Sequence, residues 1–297
     1  MLIDTHAHLD YPEFAEDFDQ VLQRARDAGV TRIIAVGVDL ESSERCIQLA
    51  EKYPGIYASV GVHPTEAASA PGDIRELLHR LAEHPRAVAI GETGLDYFHL
   101  PSKEHRQAIE LTAPRIEIPA HFPLVREQLP EQAIAADTEA KIQQRKIFLQ
   151  SLEVAATLGK AVIIHQRDSL DDTLSVLREF TVSSARPVRG VFHCFGGTKE
   201  QAERILDVGF HVSFTGILTF KKSHSLRAVA EKLPLDRIMV ETDCPYLSPE
   251  PVRNIRRCEP AFTRHTAEKL AETRGLSLEA VAKATTANAE RLFGLTS

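Results

Sequence analysis

The sequence predicts an α/β protein of the TIM (β/α)8 barrel class, on three observations. Eight short apolar runs alternate with helical patterns along nearly the whole chain. The runs are rich in Val, Ile and Phe and are bounded by Gly, Pro, Asp or His, as buried parallel strands are. No glycine-rich dinucleotide loop follows the first run, which disfavours the rival open, doubly wound sheet. At about 150 residues per domain, 297 residues suggest two domains. A barrel of about 250 residues with one insertion accounts for the same length, so a single domain over 1–297 is expected.

The strands are expected at 2–5, 31–38, 56–62, 87–92, 161–165, 188–193, 211–214 and 237–241. The first helix is expected over 14–28. It places Phe14, Phe18, Val21, Leu22 and Ala25 on one face, and Gly29 ends it. Further helical patterns cover 41–52, 73–83, 139–158, 170–179, 199–208 and 223–233. After the eighth strand come 260–273 and a final helical pair reaching Leu295.

One segment breaks the rhythm. From about Pro101 to Asp137 the chain carries five prolines with little sustained periodicity. This insertion, taken as 101–138, follows strand 4 and so belongs at the catalytic end of a barrel. Between Pro101 and Ala140 there are four Lys/Arg against seven Asp/Glu, a net of -3. Such a segment suits a cap over the site or an oligomer contact better than a grip on a phosphate backbone.

Composition narrows the function classes. Hydrophobic residues make up 43% of the chain and charged ones 26%, as in a soluble globular protein. With 35 Lys+Arg against 42 Asp+Glu the net charge is -7, which argues against a broad basic nucleic-acid footprint. No run of about 18 apolar residues predicts a membrane span. The start, MLIDTHAHLD, lacks the basic-then-apolar pattern of a secretory leader. Cys46, Cys194, Cys244 and Cys258 form no CxxC pair, which fits a reducing cytoplasm.

A barrel's chemistry sits at the C-terminal ends of its strands. Those ends carry His6 and His8, His63, Glu92, His165, His193 and Asp243, with Asp39 after the second strand. HxH alone is a weak motif, but residues i and i+2 share a strand face, so His6 and His8 can reach one metal. Asp4 shares that face and could orient a ligand. Glu92 ends a strand in a Gly-flanked turn, and its two oxygens can bridge two cations. A single His at a strand end is more often structural. His165 and His193 on successive strands, beside HxH and Glu92, favour a metal site. Imidazole with carboxylate suits Zn, Mn or a similar divalent ion. Strand alternation aims Cys194 and Cys244 away from the mouth, as buried filler. Glu241, two residues before Asp243, can support the site from below. Arg167, Lys221, Lys222, Arg253, Arg256 and Arg257 follow strands five, seven and eight, with Arg167, Lys221 and Arg253 the first candidates for phosphate contacts.

The sequence resembles the TatD family of metal-dependent hydrolases, in the amidohydrolase superfamily. The matching stretches are IDTHAHLD at 3–10, GVHP at 61–64, GETGLDY at 91–97, and Gln144 with Phe148. They continue with IHQRDS at 164–169, FHCFGG at 192–197, FTGILTFKK at 214–222, ETDCPYL at 241–247, and Asn288 with Phe293. The resemblance implies a TIM-barrel nuclease holding divalent metals, with His6, His8 and Asp243 on one. Glu92 would bridge to a second held by His165 and His193. His63 would touch the scissile phosphate or sit beside the metals. The reaction implied is phosphodiester hydrolysis, typically 3′-to-5′ exodeoxyribonuclease action on DNA or oligonucleotide ends. Two cations (Mg, Mn, Zn or Ni) would clamp a phosphate and bring a water's pKa to about 7, with Asp243 as the proton acceptor. The family usually reads GVHPH, where this chain has Thr65, and often Asn-Glu-Pro, where Cys258 precedes Glu259 and Pro260.

Two alternatives stand beside this reading. One is hydrolysis of a small ester, lactone, amide or aminoacyl-tRNA ester, since loops rather than fold set chemistry on a barrel. The other is a catalytically silent scaffold, for which six ligand positions have no physical use.

Overall fold

In a computed structural model, which describes residues 1–103, 131–184 and 186–295, the eight strands form one parallel sheet. They are β1 (Leu2–Ala7), β2 (Val30–Val36), β3 (Ile56–Val60), β4 (Ala87–Asp96), β5 (Ala161–Arg167), β6 (Gly190–Phe192), β7 (His211–Phe214) and β8 (Ile238–Val240). Each pairs with the next in chain order. The ring is drawn together between β1 and the end of β8, where Ala7 bridges Cys244. Asp243 N donates to His6 O at 2.9 Å, and His8 N to Cys244 O at 2.8 Å. The expected barrel is therefore the observed fold.

The described helices are α1 (Phe18–Asp27), α2 (Leu40–Lys52), α3 (Arg75–Ala82), α4 (Glu131–Leu158), α5 (Leu170–Ser183), α6 (Lys199–Asp207), α7 (His224–Lys232), α8 (Thr263–Arg274) and α9 (Leu278–Phe293). Two apolar layers result from strand alternation. Ile3, Ile34, Ala89, Ile163, Val191 and Met239 form one cluster, to which α9 adds Ala289, Leu292 and Phe293. Ile33, Ala35, Val60, Val162, Phe192 and Val240 belong to the larger cluster shared with the surrounding helices.

Four expectations are corrected. Strand 4 does not turn at Glu92 but runs on to Asp96, paired with β5 as far as Arg167. Gly91 and Gly94, at φ 154° and 141°, permit close approach rather than a turn. A Cβ on Gly94 would lie 2.1 Å from His165 O, and one on Gly91 2.7 Å from Ile163 O. Second, α4 begins at Glu131, not at 139. The stretch EQAIAAD has strong helix formers directly after a proline, which is tolerated at a helix start. The 101–138 insertion is thus helical at its far end, while 104–130 lies outside the described residues. Third, a single helix, α9, replaces the expected terminal pair. Fourth, Asp39 is no site residue: it caps α2, accepting from Ser42 N at 2.6 Å.

Candidate metal centre

The seam between β1 and β8 assembles the first group. Asp4, fully buried under it, accepts from Thr242 N at 3.0 Å, Thr242 Oγ1 at 2.6 Å and His6 N at 3.2 Å. It therefore ties the two strands together and acts on the His6 backbone rather than on an imidazole. Burial pushes its carboxyl up to about 7. Above it, His6 Nε2 and His8 Nε2 lie 3.3 Å apart. Asp243 Oδ1 is 3.7 Å from the first and 3.4 Å from the second. Val36 O contacts His8 Nδ1 at 3.1 Å, which turns Nε2 inward. Asp243 itself sits in the left-handed region at φ 62°, a strained conformation of the kind held at functional sites.

Glu92 lies between this group and a second. Its Oε2 faces His6 Nε2 at 3.2 Å and His8 Nε2 at 3.7 Å. Its Oε1 faces His193 Nε2 at 2.7 Å, His165 Nδ1 at 2.8 Å and His63 Nε2 at 3.5 Å. Three sets could each hold an ion: His6, His8 and Asp243; His6, Glu92 and His193; and His63, Glu92 and His165. All six ligands expected from the sequence converge. His63 lies beside them, its Nε2 3.1 Å from His165 Nδ1.

The donor chemistry fits a divalent cation. Ring nitrogens pointed at one another within 3.3 Å repel unless a proton or cation lies between them. A buried carboxylate without compensating positive charge costs several kcal/mol. Glu92, Asp96 and Glu241 are three such groups at one barrel mouth, with the partly exposed Asp243 beside them. Nitrogen and oxygen donors without a thiolate suit Zn, Mn or Mg.

Three outer partners were not assigned from sequence. Asp96 Oδ2 meets His165 Nε2 at 3.0 Å and His99 Nδ1 at 2.8 Å, while Oδ1 accepts from the Phe98 and His99 amides. Gln144 anchors it, accepting from Asp96 N at 2.9 Å and donating to Asp96 O at 3.0 Å. Thr65 Oγ1 contacts His63 Nδ1 at 2.7 Å and fixes that ring. The signal for Asp96 lay in GETGLDY, whose second acid follows Glu92 by four residues. Glu241 sits beneath, as expected, accepting from Cys194 N at 2.7 Å and Thr5 Oγ1 at 3.1 Å. Cys244 is buried as expected, whereas Cys194, at φ 48°, is partly exposed. His6 Nδ1 and His193 Nδ1 have no hydrogen-bond partner among the described residues.

Burial opposes every charge here, and the neighbours decide the outcome. Burial resists ionisation of Glu92, yet His193, His63 and His6 together with the His165 hydrogen bond hold it well below the usual range. Asp243 is likewise held low against its burial, chiefly by the His8 hydrogen bond and His6. Burial drives His6 down, and His63 down to about 3. Against their burial, His8 is raised by Asp243 and Glu92, His165 by Asp96 and Glu92, and His193 by Glu92 and Glu241. Without a cation, protons supply the positive charge that this cluster requires.

The rim carries the expected cations. The Arg167 guanidinium lies 3.7 Å from the Phe98 ring centre, and that of Arg253 lies 3.5 Å from Phe220. Among the described residues neither makes an ion pair, so their edge N–H groups remain available. Lys221, Lys222 and Arg256 are exposed. Arg257 is instead paired with Asp17, donating to Oδ1 and Oδ2 at 2.6 and 2.8 Å. Among the described residues no helix is long and apolar enough to cross a membrane.

A family model described as TatD related DNase matches residues 3–125 and 132–294. An uncharacterized metal-dependent hydrolase of Bacillus subtilis, YabD, is 33% identical over 99% of both chains. An Erwinia billingiae protein named 3′-5′ ssDNA/RNA exonuclease TatD is 35% identical over 99% of both. The crystal structure of YjjV, a TatD homolog from Escherichia coli K12, superposes with a TM-score of 0.79 at 26% identity, covering 99% of this chain and 98% of that one.

Proposed function

The chain belongs to the TatD related DNase family of metal-dependent hydrolases, and on that premise we propose that it is a two-metal phosphodiesterase removing nucleotides from the 3′ ends of DNA or oligonucleotides. The observation that carries the two-metal reading is Glu92, whose oxygens face separate groups of imidazoles. His6, His8 and Asp243 would hold one ion, with Glu92 bridging to another held by His165 and His193, and His63 beside it. Divalent ions bound there would acidify a water and offset charge on the attacked phosphate. The name of the Erwinia relative supports a nucleic-acid end as substrate.

The chain's own groups supply the rest. Asp243 stays ionised at neutral pH, held low by His8 and His6, so its carboxylate can take the proton released at the attacking oxygen. Asp96 fixes His165 through Nε2, leaving Nδ1 to face the centre. Arg167, Arg253 and Lys221 would bind phosphate oxygens at the rim, and Arg presents a fork of donors suited to them. A short cationic rim on a chain of net charge -7 suits a strand end rather than a long duplex.

Turnover of 3′-labelled single-stranded DNA with Mg or Mn is the test. Chelation should abolish it, and added metal should restore it. Lactone or amide turnover without any nuclease activity would overturn the reading.

A further inference from the structure

We propose that Tyr246, backed by Tyr11, is a base-stacking platform that holds the terminal nucleobase of a single-stranded end beside the metal centre. The inference rests on the phosphodiesterase reading and names a contact that the metal ligands and rim cations do not provide.

Tyr246 follows Asp243 by three residues, and its N donates to Asp243 O at 3.0 Å. Its ring centre is 6.4 Å from that of His8 and 6.3 Å from that of Tyr11, standing across both at 69° and 86°. Tyr11 lies nearly parallel to His8 at 5.1 Å, so one of its faces roofs that imidazole. Two other aromatic rings at the rim are already occupied. Phe98 carries the Arg167 guanidinium, and Phe220 carries that of Arg253. Tyr246, by contrast, is 52% exposed beside the centre.

The backbone presents this ring in a fixed place. Cys258 N donates to Pro245 O at 3.0 Å, closing the loop behind it. Leu247 O packs so near Gly216 that a Cβ there would come within 2.3 Å, so the loop lies directly on the turn after β7. A platform held in advance loses little freedom when a base settles on it. Stacking grips any base, because every base has a π-face, and it acts alongside cations that take the phosphates. In a duplex the terminal base is paired and stacked on its inner neighbour, and bringing it beside the metals must first break those contacts. The platform therefore selects single-stranded ends.

The test compares 3′-labelled oligodeoxynucleotides that end in an ordinary nucleotide or in an abasic tetrahydrofuran residue, with Mn present. The wild type should favour the base-bearing end in kcat/KM by about tenfold. Tyr246→Ala should bring that ratio close to one, and Tyr246→Phe should keep it. Tyr246 is half exposed, so its truncation should not unfold the chain. A ratio unchanged in Tyr246→Ala, or no base preference in the wild type, would overturn the platform alone. Cleavage of neither oligonucleotide by the wild type would remove the phosphodiesterase reading with it.

Discussion

Replacing Asp96 with Asn should cost the protein one metal without disturbing the fold around it. Asp96 Oδ1 accepts the Phe98 and His99 amides at 2.8 and 2.9 Å, and an Asn carbonyl can keep both. Oδ2 faces His165 Nε2 at 3.0 Å and His99 Nδ1 at 2.8 Å. A carboxylate only accepts, so it forces a proton onto His165 Nε2 and leaves Nδ1 free to donate a lone pair to a cation. An amide nitrogen in that place donates instead. His165 must then accept at Nε2 and carry its proton on Nδ1, the atom 2.8 Å from Glu92 Oε1, and a protonated Nδ1 cannot ligate. Loss of an orienting partner lowers metal affinity by about 10–100-fold, or about 1.4–2.7 kcal/mol. Asp96→Ala would be a poorer probe, because the two part-buried Phe98 and His99 amides would also lose their acceptor. Competition titration of Mn or Zn against a chelating dye, with a thermal melt of the metal-free protein beside it, measures both quantities. The weaker of two binding events should weaken further or vanish while the melt stays near wild type. Affinities within twofold of wild type for both ions would refute the argument.

Three further outcomes follow from the same geometry. Asp243→Asn should retain much of the metal and lose about 10²–10⁴ of the rate, and full activity would remove Asp243 as proton acceptor. Glu92→Ala should lower occupancy of both ions, so metal analysis returning two full equivalents would contradict its bridging position. Metal uptake at pH 7 should release protons, since His8, His165 and His193 are raised above the usual 6.5 in the metal-free cluster, whereas His6 and His63 are held low and enter neutral. Raised histidines stabilise the metal-free fold fully below 6.5 and lose that contribution as pH climbs through their folded values. Affinity and the metal's stabilising effect should therefore grow with pH over that window. Titration calorimetry in buffers of different ionisation enthalpy counts the protons, and a count of zero would refute the scheme.

How much of this was legible in the sequence follows from what kind of contact each residue makes. His6, His8, His63, Glu92, His165, His193 and Asp243 could be found because each lies in the C-terminal half of an apolar strand or just after it, and a barrel delivers all such ends to one mouth. No distance between strands was needed. Asp96 required one. Gly91 and Gly94 read as turn markers, so the strand seemed to stop at Glu92. In the fold they let β4 press against β5, where a Cβ would strike the Ile163 and His165 carbonyls, and the strand carries Asp96 on to the His165 ring. Cys194 and Asp243 fall beyond the ends of β6 and β8 in left-handed backbone, where a period of two no longer sets side-chain direction. Arg257 looked like Arg253 in sequence, both being cations after the eighth strand. Only tertiary contact separates the one clamped by Asp17 from the one stacked on Phe220 with its donors available. The ligands are thus encoded by where strands end, whereas their orientation is encoded by contacts between neighbouring strands. Orientation is therefore where substitutions can change the site while keeping every candidate ligand. Thr65 is the instance at hand, since its hydroxyl lies 2.7 Å from His63 Nδ1 and fixes that ring from the loop after β3.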